Sequence, residues 1–172
     1  MLIFAHEEES VIAATPKDLF DILGDPRRHA ELAGSGEVKS VRLRGGGPIA
    51  SGSTFEADEE IRFGRRTMKF TAISTIVTFE PPTVISWTSM PPNRPRPRRI
   101  QWWYRLEPTE GGTRVTHRVE VDLGPVPNVV MKLPYSRMRA PALRDGMRRT
   151  LDNLARAASA PGRPGQTPTP TG

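Results

Sequence analysis

Cysteine is missing from all 172 residues. That excludes a disulfide framework, a thiolate zinc site and a cysteine nucleophile. Long apolar runs are missing too. No segment approaches the roughly 18 consecutive apolar residues of a membrane-spanning helix. The apolar start Met1–Ala5 meets Glu7-Glu8-Glu9 almost at once and has no basic stretch before it, so it does not read as a signal peptide. Together these absences give the expectation of a cytoplasmic chain that does not span a membrane. Histidine is scarce, with three in the chain, and His6, His29 and His117 lack the spacing of a metal motif. Gly45-Gly46-Gly47 is followed by neither a helix start nor a Lys-Ser/Thr pair, so it reads as a hairpin turn and not as a phosphate loop. No Ser-His-Asp order stands out. No metal and no cofactor are expected.

What is present is unevenly charged. The net charge of +6 combines an acidic first third with a basic middle. Residues 1–61 hold 6 basic and 12 acidic side chains, whereas residues 62–100 hold 8 basic and 1 acidic. Such a block makes a positive surface region wherever its residues lie together. Nucleic acid is not the expected partner, because no recognition helix and no aromatic-basic alternation accompanies the charge.

The order of elements points to an α+β fold. Residues 3–13 read as a strand. Thr15-Pro16 and Asp25-Pro26 are helix starts, each a capping residue followed by proline at the first helical position, and they open two short helices. The first carries Leu19, Phe20, Ile22 and Leu23 and stops at Gly24. The second ends near Leu32. Strands follow at Val38–Leu43, Thr54–Phe63, Met68–Phe79, Thr83–Ser89, Arg99–Leu106 and Thr113–Val121, separated by Gly- and Pro-rich turns. The stretch Met90–Pro97 holds four prolines and cannot be a central strand. Pro125–Leu133 is a connector. A long helix is expected from Pro134 to Ala158, kinked or restarted at Pro141, with Leu143, Met147, Leu151, Leu154 and Ala158 as its apolar stripe. A folded domain over 1–159 and a Pro/Gly/Thr tail over 160–172 complete the outline. Seven short-looped strands and one amphipathic helix predict a curved antiparallel sheet wrapped around that helix.

Several segments carry a resemblance. Ile12-Ala13-Ala14-Thr15-Pro16, Phe79-Glu80-Pro81-Pro82 with Ile85-Ser86-Trp87, and Tyr104-Arg105-Leu106-Glu107-Pro108 with Gly111-Gly112-Thr113-Arg114-Val115-Thr116-His117 are similar to the START-like superfamily. That superfamily, the helix-grip or SRPBCC fold, includes polyketide cyclase/dehydratases and lipid-transfer domains. The resemblance covers about residues 3–158 and rests on turns and core, not on a reaction. It implies a hydrophobic small molecule held in an internal cavity, with polyketide cyclase/dehydratase-like chemistry or, alternatively, a carrier or sensor role without catalysis.

In that fold one strand face lines the pocket. The apolar phase puts Phe55, Ala57, Glu59, Ile61 and Phe63 inward on one strand, Trp87 on another, and Trp102 and Tyr104 on a third. His117 follows between Val115 and Val119. The long-helix region adds Tyr135, Met138 and Met147. Phe55, Ile61, Phe63, Trp87, Trp102, Tyr135, Met138 and Met147 are therefore the expected ligand-binding wall. Glu59, His117 and Tyr104 are polar in apolar phases, and a general acid–base reaction needs such groups. Each also has a plain reading: a strand charge, a hydrogen-bonded core histidine, a wall tyrosine with a satisfied hydroxyl. The family further implies that the Gly64 turn, the 90–98 loop and the 122–133 connector share the cavity mouth. Arg62, Arg65, Arg66, Arg94, Arg96 and Arg98 would then rim it and attract an acidic ligand, an anionic lipid surface or an acidic acyl carrier protein.

Overall fold

The computed structural model describes residues 2–63, 65–90, 99–122, 137 and 139–160, with the backbone alone for Phe63. Its strands are β1 (Phe4–Ile12), β2 (Val38–Arg44), β3 (Thr54–Phe63), β4 (Arg66–Glu80), β5 (Val84–Met90), β6 (Arg99–Thr109) and β7 (Gly112–Asp122). The helices are α1 (Pro16–Leu23), α2 (His29–Leu32) and α3 (Ala140–Ser159), with a 3-10 turn at Pro26–Arg28 leading into α2. The strands form one curved sheet in the order β1-β7-β6-β5-β4-β3-β2, antiparallel throughout. Consecutive strands pair along the meander, and β1 closes onto the far side of β7.

Local chemistry explains the boundaries. Thr15 caps α1: its hydroxyl accepts the Asp18 N–H at 3.1 Å, and Pro16 takes a position whose N–H has no helical partner. Asp25 caps the following turn by accepting the Arg27 N–H at 3.0 Å. In the β6–β7 hairpin Gly112 has φ +131, and a Cβ there would lie 2.2 Å from the Ile12 carbonyl oxygen, so the position demands glycine.

Of the two outcomes expected at Pro141, a kink or a restart, the structure has the second. Pro141 lies in the first turn of α3, where its missing N–H costs nothing, so it begins the described helix and does not kink it. Residues 134–136 and 138 lie outside the described residues. The expected stripe is present: Leu143, Met147, Leu151 and Leu154 are buried.

The segment after α2 holds α3 in place over the sheet. The Gly34 N–H donates to Thr150 Oγ1 at 2.9 Å, Arg149 Nε donates to the Gly34 carbonyl at 2.7 Å, and Asn153 Nδ2 donates to the Leu32 carbonyl at 3.0 Å. A Cβ on Gly34 would stand 2.3 Å from the Gly146 carbonyl oxygen, so any larger residue would push the helix away.

Apolar packing divides into two clusters. One joins α1, Leu32 and the C-terminal part of α3 to Ile85, Tyr104, Leu106 and Val115. The other joins Ile3, Phe4, Val119 and Val121 to Ala140, Leu143 and Met147 at the N-terminal part of α3, with Ile100 and Trp102 partly buried against it.

Candidate functional site

Strand register arranges the helix-facing side of the sheet into rows, because directly paired residues point the same way. One row runs Ile85, Tyr104, His117 and Glu8 across β5, β6, β7 and β1. The next runs Ile76, Trp87, Trp102, Val119 and His6. A third runs Phe55, Ser74, Ser89, Ile100, Val121 and Phe4. The inward phases expected for Phe55, Trp87, Trp102, Tyr104 and His117 agree with this register.

Aromatic rings form a continuous band over these rows. Tyr104 and His117 stack with ring centroids 4.2 Å apart at 11°. Trp102 stacks on His117 at 5.6 Å, and Trp87 on Tyr104 at 5.8 Å. His29 from α2 covers the far side of Trp87 at 4.6 Å and meets Phe55 edge-on at 5.3 Å. Trp87, Trp102 and Ile100 are only partly buried, although they sit on the helix-facing side of the sheet.

His117 is the unusual group. It is 2% exposed, and neither ring nitrogen makes a well-formed hydrogen bond among the described residues; the Met147 backbone is near enough to act only as a weak partner. Burial pushes its pKa down to about 3, against weaker opposing pulls from the Met147 backbone and the Glu8 carboxylate. Its imidazole is therefore neutral at physiological pH, with one N–H to give and one lone pair to receive. Burial likewise raises the Tyr104 phenol above its ordinary range, so it also stays neutral. Ser74 and Ser89 add a hydroxyl pair at 2.9 Å one strand away from Ile100.

Glu59 belongs to a different place. From its pair with Phe70, the register runs four residues along β4 to Ser74, and a further four along β6, from Ile100 to Tyr104. Its neighbours are Glu37, ahead of β2, and Arg139, ahead of α3. Arg139 forms a two-pronged ion pair with Glu37. Burial raises the Glu59 pKa to about 7, the Glu37 carboxylate pushes it the same way, and Arg139 opposes. Glu59 thus carries a proton for part of the time at neutral pH.

The remaining expected residues divide simply. Phe55 and Ile61 are buried on the helix-facing side of β3, and Met147 is buried on α3. Arg62, Arg65 and Arg66 are exposed at the β3–β4 hairpin. Tyr135, Met138, Arg94, Arg96, Arg98 and the Phe63 side chain lie outside the described residues.

Three participants were not singled out from sequence. His29 donates through Nε2–H to the Leu23 carbonyl at 3.1 Å while stacking on Trp87, and burial lowers its pKa. Glu8 accepts from His6 at 2.7 Å and from Arg148 at 3.1 Å. Burial pushes the Glu8 pKa up, but those two hydrogen bonds outweigh it and the net shift is downward. A usable signal existed for Glu8, since His6, Glu8 and Ser10 alternate in phase with the buried ends Phe4 and Ile12. The Glu37–Arg139 pair spans 102 residues and has no sequence signature.

A curved seven-stranded antiparallel sheet gripping a C-terminal helix, with an aromatic inner face, defines the START-like, helix-grip class of ligand-binding folds. Within it the chain belongs to the family described as polyketide cyclase / dehydrase and lipid transport, whose model matches residues 5–159. A curated relative, the uncharacterized protein Rv0088 of Mycobacterium tuberculosis, is 32% identical over 106 residues, which are 61% of this chain and 42% of that protein. The chain thus spans well under half of that relative's length. Among solved structures, ginseng major latex-like protein 151 from Panax ginseng superposes with a TM-score of 0.65 at 12% identity, covering 91% of this chain and 98% of that one. The di-domain ARO/CYC StfQ from the steffimycin biosynthetic pathway gives 0.64 at 14% identity, covering 91% of this chain and 52% of that one. Protein CV1439 from Chromobacterium violaceum gives 0.62 at 13% identity, covering 90% and 96%. Family and fold together support a domain that binds hydrophobic ligands. The same scaffold carries both catalysts and carriers.

Proposed function

We propose that the protein is a carrier or sensor of a hydrophobic small molecule bearing a neutral carbonyl or hydroxyl group, which hydrogen-bonds to His117 between Tyr104 and Trp102. The observation that carries this reading is the buried His117 ring, whose nitrogens have no well-formed hydrogen bond and only the Met147 backbone as a weak partner. Leaving a buried polar group unpaired costs about 1–3 kcal/mol. A ligand oxygen reaching that ring would remove the cost, and the aromatic band would supply the apolar contact. The electrostatics favour binding over proton chemistry at this point. An imidazole whose conjugate acid ionises near pH 3 is a weak base at neutral pH, and Tyr104 is held as a neutral phenol.

The test uses 1-naphthol and naphthalene as probes, read by quenching of tryptophan fluorescence. The wild type is expected to prefer 1-naphthol by about tenfold, the value of one hydrogen bond made to a buried group. His117→Phe should erase that preference and keep the affinity for naphthalene. Trp102→Ala should weaken both probes. A preference that survives in His117→Phe would overturn the reading.

Glu59 motivates a second reading. A carboxyl titrating near pH 7 on the helix-facing side of β3 is suited to general acid–base work on an elongated substrate, as a cyclase/dehydratase-like reaction requires. The check is deuterium incorporation beside the carbonyl of 1-tetralone in heavy water. Glu59 in its ionised form would take the α-proton and leave the enolate; its carboxyl would exchange that proton for a solvent deuteron and return the deuteron to carbon. Acceleration by the wild type and its loss in Glu59→Gln would favour catalysis. Equal rates would rule it out for this probe.

A further inference from the structure

Leu2, Met68 and Met90 are among the large apolar side chains left exposed, at 40%, 44% and 42%. All three lie at the end of the sheet where β1 begins and β5 finishes. Ile73 pairs with Met90, the last residue of β5, yet β4 begins at Arg66. The β3–β4 hairpin therefore overhangs the neighbouring strand by seven residues of register. This two-stranded ribbon presents Arg62, Arg65, Arg66 and Lys69, all exposed; of its three carboxylates, Glu60 lies 3.7 Å from Arg62 and 3.6 Å from Lys69, Asp58 is paired with Arg42, and Glu59 is on the helix-facing side. Strand alternation puts Met68 on the same side as Ile61, its partner in register, and puts Arg62 and Lys69 on the opposite side. Apolar and cationic groups thus meet at the rim of one end of the molecule.

We propose that this end docks on an anionic lipid surface. The arginines and Lys69 would sit at headgroup level, and Met68, Leu2 and Met90 would enter the apolar boundary. Each cation near such a surface strengthens binding about fivefold, and single apolar side chains add to it as they are buried. The three apolar residues come from three separate elements and not from one groove. A fluid lipid surface accepts such dispersed side chains, whereas an acidic protein needs a matching contiguous patch. Docking here would bring the end of the sheet that carries Phe4, Ile100 and Val121 against a reservoir of hydrophobic molecules. The proposal rests on the ligand-binding reading only for that consequence; the vesicle assay involves no probe bound at His117, so either idea can fail alone.

The experiment is vesicle flotation of the full chain with phosphatidylcholine alone and with about one-third phosphatidylglycerol added. Partition into the anionic vesicles should exceed that into neutral ones at least tenfold and fall as salt rises. The double variant R65E/R66E should lose at least tenfold, with R65Q/R66Q as the milder variant should the first misfold. Met68→Ser should lose about threefold with its charge unchanged, and melting temperatures should not move. Absence of vesicle binding, or equal binding to both compositions, would overturn the proposal. So would displacement of the protein from vesicles by polyglutamate together with indifference to Met68→Ser, which would indicate an acidic protein partner instead.

Discussion

Around α1 and the C-terminal half of α3, Leu19, Ile85, Leu106, Val115 and Leu154 are 0–1% exposed and pack in one cluster. A few residues along the same strands, Trp87, Ile100 and Trp102 stay partly open, His117 buries two nitrogens without a well-formed hydrogen bond, and Glu59 holds a proton for part of the time near neutrality. The first region has what stability asks for: apolar side chains withdrawn from water. The second carries costs that stability alone would remove. Local violations of folding rules that persist beside a well-packed core mark the place where a protein is prepared for something else. The comparison thus separates a region that holds the fold from the region where we propose that a ligand binds.

Mutations can sharpen or break that contrast. In the packed region Leu154→Ala should cost about 3 kcal/mol, because both the lost transfer energy and the remaining cavity count. Urea denaturation would show it, and a cost well under 1 kcal/mol would mean the packing there is looser than drawn. At Glu59 the effect runs the other way. The folded protein keeps this proton up to about pH 7, whereas an unfolded glutamate releases it near 4.5. The folded state binds more protons in that window, so this group lowers stability as pH rises from about 4.5 to about 7, after which the loss is complete. Glu59→Gln should therefore be more stable than the wild type above pH 7, by an amount on the order of 2 kcal/mol once partial solvent screening is allowed for. His117 tilts the curve oppositely below pH 6.5, so the difference between variant and wild type across pH is the quantity to plot. The smallest change is His117→Phe, expected to gain about 1 kcal/mol by removing a buried group without a well-formed hydrogen bond. A loss there, with naphthalene binding unchanged, would show that the ring packs as core and not as a ligand contact.

Much of this was legible before any coordinates. Thr15-Pro16 and Asp25-Pro26 announce helix starts through capping chemistry that acts within four residues. Alternation along β3, β6 and β7 assigns Phe55, Trp102, Tyr104 and His117 to one side, because a strand turns its side chains with a period of two. The expected trio of polar residues separated into two places, however. Tyr104 and His117 stack, while Glu59 lies eight residues of register away beside Glu37 and Arg139. Phase tells which face a residue takes and nothing of its height along the strand relative to another. His29 reached the aromatic band from α2, and Glu8 reached the His117 row because β1 pairs with β7, the last strand of the sheet.

By itself, then, the order of residues determined the elements, their caps, the buried side of each strand and the apolar stripe of α3, since all of these follow from interactions between near neighbours in the chain. Only the folded molecule decided which polar groups meet, which lose their water and which keep their protons. Those outcomes depend on strand register and on burial by distant segments, so the pKa of Glu59 and the buried nitrogens of His117 exist only once α3 lies across the sheet.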